Sequence, residues 1–156
     1  MRALILIISL VSVGGFAQAQ PGQRPSLAGH WVQDSQPIPM KGPVPICGGG
    51  CMITQTTDTL VVTDGMHENT YKFDGVPAVA IAKTDTITAT ITKTTSWERA
   101  TLVIVSTVKS DDLNSGKAST TIARLSVRDG RLTIEGTRAN QDGTESKYQV
   151  TYRLSK

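Results

Sequence analysis

Two cysteines and two histidines are the side chains in this 156-residue sequence best suited to do chemistry. Cys47 and Cys51 bracket three glycines in the stretch PVPICGGGCM. In an extended strand, residues four apart stand roughly 13 Å from Cα to Cα, beyond the reach of a disulfide. Three glycines allow the tight loop that would bring them together. A bond there would stabilise the fold by roughly 2 kcal/mol and tie a Pro-rich loop to the strand starting at Met52. A redox pair is the second reading, but such pairs sit at helix N-termini, which lower the thiol pKa, and no helical pattern flanks these residues. A soft-metal site is the third. Met40, Cys47, Cys51, Met52, Met66, His67 and Glu68 are ligands that suit Cu(I), as in a copper-handling protein. Against that, the methionines also read as packing residues and His67 as part of the turn at Asp64-Gly65.

Catalytic patterns are missing. There is no nucleophile elbow, paired-histidine metal motif or phosphate-cradling glycine loop. His30 lies between Gly29 and Trp31 on an outward strand position. Asp111, Asp112 and Glu135 read as loop and surface charge. The expectation is a protein without catalytic activity or cofactor.

The elements that must position these residues begin after residue 19. Met1-Arg2, the apolar run Ala3–Val13 and the small residues Ala17-Gln18-Ala19 form a signal-peptide pattern. They imply export to a periplasm or the cell exterior, where the cysteine pair would be oxidised. The apolar run is too short for a membrane span, and no later segment reaches the required length of about 20 apolar residues. The division is therefore a signal peptide over 1–19, a flexible leader over 20–26 and one β domain over 27–156. The formal net charge is +3 and the basic residues are scattered, which argues against nucleic acid as a partner. The sequence specifies no oligomeric state.

Period-two patterning covers the domain. "DTITATITK" alternates Ile87, Ala89 and Ile91 with threonines, and "KYQVTYRL" alternates Tyr148, Val150, Tyr152 and Leu154 with polar residues. Asp64-Gly65, Asp74-Gly75, Asp129-Gly130 and Asp142-Gly143 supply tight turns. The pattern predicts an all-β, single-domain antiparallel up-and-down meander. It has strand segments near 29–33, 51–56, 59–63, 69–74, 79–82, 85–95, 101–109, 118–127, 130–138 and 145–154, with short ones merging to eight or nine strands in a closed or nearly closed barrel. The inward set is Leu60, Val62, Tyr71, Phe73, Ile87, Ile91, Leu102, Ile104, Tyr148, Val150 and Tyr152. The threonines form a solvated outer face.

Gly29-His30-Trp31, opening the first strand, resembles the Gly-x-Trp signature of lipocalins. The long Pro-rich segment from Asp34 to Gly50 resembles the loop over the mouth of those barrels. The resemblance implies that Trp31 packs across the closed end, with Gly29 beside it and Arg153 from the last strand lying over it. It also implies a cavity, so that the inward residues would bind a small apolar ligand with one polar end. A core filled by those same side chains fits the pattern equally and is the simpler outcome. A filled barrel would instead serve as an envelope or extracellular interaction module, using its Thr-rich outer face.

Overall fold

The computed structural model describes residues 24–34, 46–65, 67–85, 87–110, 118–140 and 142–155. The alternating segments form ten strands: β1 (Gly29–Gln33), β2 (Gly50–Gln55), β3 (Thr59–Asp64), β4 (His67–Lys72), β5 (Ala78–Lys83), β6 (Thr88–Glu98), β7 (Thr101–Ser110), β8 (Ala118–Arg128), β9 (Arg131–Ala139) and β10 (Glu145–Leu154). All pairs are antiparallel. Each strand lies beside its neighbours in sequence except at β4 and β5, and β10 returns to pair with β1. Every expected segment stands as its own strand, so the count is ten and not eight or nine.

The barrel does not close. The sheet order is β4-β3-β2-β1-β10-β9-β8-β7-β6-β5, an up-and-down meander curled into an open half-barrel whose two edges are β4 and β5. The segment between them explains the gap. Asp74 accepts a hydrogen bond from the Val76 amide at 2.9 Å, Gly75 turns with a φ of 70°, and Pro77 has no N–H to donate. The Gly75 amide then donates to the Thr95 carbonyl at 3.2 Å, and Lys93 Nζ donates to Asn69 Oδ1 at 2.8 Å. Both contacts draw the β4 side onto β6, one strand short of β5. As a result β5 stands outside the seam, with all its residues exposed.

Turn chemistry sets the register elsewhere. Between β8 and β9, Asp129 and Gly130 have φ values of 50° and 70°, the two positive values of a type I′ hairpin. That turn pins Arg128 opposite Arg131 and Leu125 opposite Ile134. Cys47 and Cys51 are joined in a disulfide, with Cα atoms 5.0 Å apart, at the entry to β2.

The inward faces pack a core from Leu27, Trp31, Ile53, Leu60, Leu102, Leu125, Leu132, Ile134, Val150 and Tyr152. Trp31 Nε1 donates to the Leu27 carbonyl at 2.9 Å, and the Leu27 amide donates to Gln55 Oε1 at 2.7 Å. This end of the half-barrel is therefore plugged by the chain that enters it. Arg24, expected in a flexible leader, is held here too. Its guanidinium lies 5.7 Å from the Phe73 ring centre and 6.0 Å from that of Trp97, and it donates to the Thr57 carbonyl at 3.0 Å. Residues 20–23 and the 1–19 segment lie outside the described residues. No helix among the described residues is long and apolar enough to cross a membrane.

Candidate functional site: a polar cleft on the concave face

The concave face differs from one end to the other. Its rows across the sheet can be followed through the register. The row Trp97, Leu102, Leu125, Ile134 and Val150 is apolar and belongs to the core. One step up, Thr95, Ile104, Ala123, Gly136 and Tyr148 form a mixed row. One step further, Lys93 pairs with Ser106, Ser106 with Thr121, and Thr121 with Arg138. A row with a cation at each end and hydroxyls between them thus lies on the inner face. The wall opposite comes from β3 and β4, with Asp64, Asn69 and Tyr71, and Ile46 beside the disulfide borders the opening. Together these residues line a cleft of about 220 Å³.

Local interactions hold the cleft's side chains in place. The Lys93 ammonium is 5.3 Å from the Tyr71 ring centre, a cation–π contact, in addition to its bond with Asn69. Burial lowers its pKa. Arg138 Nε donates to Thr121 Oγ1 at 3.4 Å, so the guanidinium stem runs along the row toward β8. Gly136 makes room below. A Cβ there would fall 1.9 Å from the Ile122 carbonyl oxygen and 2.8 Å from the Tyr148 hydroxyl, so only glycine lets that ring lie over the strand. Burial pushes the Tyr148 hydroxyl up to about 12, with Tyr152 and Tyr71 adding to the rise and the charge of Arg138 opposing it. Burial, with the Asp64 charge second, pushes Tyr71 up to about 12 as well. Three buried side-chain atoms have no hydrogen-bond partner among the described residues: Asp64 Oδ1, which lines the cleft, the Tyr148 hydroxyl, and Trp97 Nε1 at the packed end. His67 Nδ1 stands 3.7 Å from Asp64 Oδ1, too long for a hydrogen bond.

The expected ligand-binding residues divide among several settings. Leu60, Val62, Leu102, Ile104, Tyr148 and Tyr152 are buried, and Ile104 alone of these also reaches the cleft. Tyr71 is buried and forms part of the cleft wall. Phe73 packs at the plugged end, edge-to-face with Trp97 at 5.6 Å, and Ile91 is half-buried on β6. Ile87 precedes β6 and is 42% exposed. The space is therefore lined mainly by polar residues absent from that set: Lys93, Ser106, Thr121, Arg138, Asp64 and Asn69. Lys93, Ser106 and Thr121 each sit two residues along a strand from an inward apolar residue, and Arg138 two residues from the inward Gly136. A polar residue in an apolar phase was the available signal.

The barrel-end residues are also placed. Trp31 faces the core beside Gly29, whose φ is 152° and whose absent Cβ leaves room for Leu154. Arg153 pairs with Val32, one position out of step with Trp31, and so lies on the other face of the sheet. There it stands 3.8 Å from Asp34, which also pairs with Arg131. It does not lie over the tryptophan. Among the described residues the suggested copper ligands do not assemble either. The two sulfurs are bonded to each other, Met52 alternates with Cys51 and is 45% exposed, and Met40 and Met66 lie outside the described residues.

Chemically, the cleft offers fixed hydrogen-bond donors and charges. A comparison with protein-family models and with curated proteins gave no match. The lipocalin resemblance thus extends as far as the curled antiparallel sheet.

Proposed function

We propose that this chain is an exported, non-catalytic binding protein that takes one small molecule at the polar end of its half-barrel. The observation that carries this reading is the contrast between the two ends of the concave face. One end is packed solid around Trp31 and Leu27, whereas the other keeps a lined cleft in which the buried Asp64 Oδ1 lacks a partner. Buried unsatisfied groups cost about 1–3 kcal/mol each, and folds retain them where a ligand or water completes them. The expected apolar ligand fits this lining poorly, because the apolar inward residues are used up in the core. Export rests on the signal pattern of residues 1–19 and agrees with the Cys47–Cys51 bond.

The test is native mass spectrometry of protein secreted through its own first 19 residues. The expected species starts at Gln20 and carries a non-covalent adduct that is lost on denaturation. A bare mass under gentle conditions, from both secreted and cytosolic preparations, would overturn the binding reading.

A second reading, an extracellular interaction module, is favoured by β5. Among the described residues its outer edge is unpaired, and it is apolar, the geometry that accepts an added strand from a partner.

A further inference from the structure

Lys93 and Arg138 stand three strands apart in one register row, their Cα atoms roughly 14 Å apart along the sheet at about 4.8 Å per strand. Both side chains line the same cleft, with Ser106 and Thr121 between them in the row. Neither cation takes part in an ion pair among the described residues. Their partners are neutral: an amide and a ring face for Lys93, a hydroxyl for Arg138. An ammonium has three N–H donors and a guanidinium five, so most of these donors are left for something else. A half-buried cation without a counter-ion is costly, and that cost falls when an anion arrives. Across the cleft, Asp64 Oδ1 is buried and lacks a donor.

We infer that the cleft recognises a small organic carboxylate that also carries a hydrogen-bond donor, such as an amino acid or a hydroxy acid. This deepens the binding reading above and rests on it. The carboxylate lies between Lys93 and Arg138, taking charge-assisted hydrogen bonds from both and neutral ones from the Ser106 and Thr121 hydroxyls. The ammonium or hydroxyl of the ligand donates to Asp64. Two cations against one protein carboxylate leave a single positive charge, which a hydroxy-acid monoanion neutralises, whereas an amino-acid zwitterion sets each of its charges against an opposite one. Size agrees. The cleft, at about 220 Å³, falls below the roughly 300–1,000 Å³ of sites for drug-sized molecules. Long acyl chains are excluded because the apolar rows beneath are filled.

The experiment is a titration of the secreted, disulfide-bonded protein followed by ¹H–¹⁵N NMR, with five probes. L-serine and L-lactate carry a carboxylate and a donor, propionate a carboxylate alone, ethanolamine a donor without the carboxylate, and inorganic phosphate a different anion. Serine or lactate should saturate and shift the amides of residues 93, 106, 121 and 138, with propionate about tenfold weaker because Asp64 stays unpaired. Lys93→Met and Arg138→Gln should each weaken binding about tenfold or more, and Arg138→Lys should restore most of it. Asp64→Asn should erase the preference for lactate over propionate. Circular dichroism melts establish that each variant folds, and the two cation variants test the same claim independently.

The inference is overturned if neither serine nor lactate binds, if propionate or phosphate binds as well as they do, or if both cation variants bind normally. A natural adduct that survives unchanged in Lys93→Met and Arg138→Gln leaves the binding reading standing and removes this ligand class. No adduct together with no probe binding removes both.

Discussion

At the scale of single residues, the molecule's three tyrosines report on the integrity of the concave face. Tyr71, Tyr148 and Tyr152 are all buried, and burial pushes each up to about 12 from the ordinary value of 10.0. A raised phenol pKa means that the folded state holds the proton more tightly than the unfolded chain does. The stabilisation from this source is therefore complete below pH 10 and drains away as the pH rises from 10 toward 12. Because the chain has only three tyrosines, phenolate absorbance carries no background from exposed rings. The expected result is that absorbance near 295 nm and loss of the strand circular-dichroism signal rise together above pH 10, as one cooperative transition. Phenolate formation centred near 10 with the strand signal intact would contradict the burial. The same rings show what the sequence made legible. Alternation in KYQVTYRL places Tyr148 and Tyr152 inside, correctly, yet alternation alone treats every inward position as core. Lys93 follows Ile91 by two and Arg138 follows Gly136 by two, so both were marked as inward by phase. Their meaning depends on the register that sets them in one row, and register is a long-range property settled by how four successive strands are paired.

At the scale of elements, the fold was largely readable because local signals agreed with one another. Period-two patterns gave the strands, and Asp-Gly pairs gave the turns at Gly65 and Gly130, both with positive φ. The β6–β7 hairpin was less legible, since its positive φ falls on Arg99, a residue type that gives no turn signal. Closure was not legible at all. Whether β4 meets β5 depends on where Phe73–Pro77 leads the chain, and the answer is set by contacts to Thr95 and Lys93. The Cys47–Cys51 loop is the element with most at stake at the open end. It orients Gly48, whose carbonyl accepts from the buried Tyr152 hydroxyl at 2.9 Å, and Gly49, whose carbonyl accepts from the Gln33 amide at 3.1 Å. Replacing both cysteines with serine removes the covalent closure of a very small loop, for which the chain-entropy relation gives about 2 kcal/mol. Urea denaturation of the double variant should show a loss of that order with an unchanged slope. The Tyr152 resonances should change more than those of Leu27 or Trp31 at the plugged end. Equal stability with the thiols absent would mean that the glycine loop holds its shape by hydrogen bonds alone.

At the scale of the whole molecule, an open half-barrel must live with two sheet edges, and this one treats them differently. The β4 edge presents His67, Glu68 and Lys72 and leans against β6, so both charge and cover discourage pairing with another chain. The β5 edge has Pro77 before it and Lys83 at its end, but between them runs Ala78-Val79-Ala80-Ile81-Ala82 without a charge. Val79 and Ile81 share one face at 63% and 65% exposure, and Val76 adds a third exposed aliphatic next to the strand. An uncharged, β-branched edge with free backbone donors and acceptors is a template for strand addition. Two copies meeting antiparallel at β5 would satisfy both edges at once and set the Val79 and Ile81 faces side by side. Sedimentation velocity should therefore show concentration-dependent association of the wild-type protein. Ile81→Lys should abolish it while changing folding stability by no more than about 0.5 kcal/mol, because the side chain it replaces is solvent-exposed. Lys93→Met should leave association unchanged, which separates the edge from the cleft. If the wild-type protein stays monomeric over the same range, the segment after Gly75 must shield β5 in solution. The open edge would then be a feature of a closing barrel and not of an associating one.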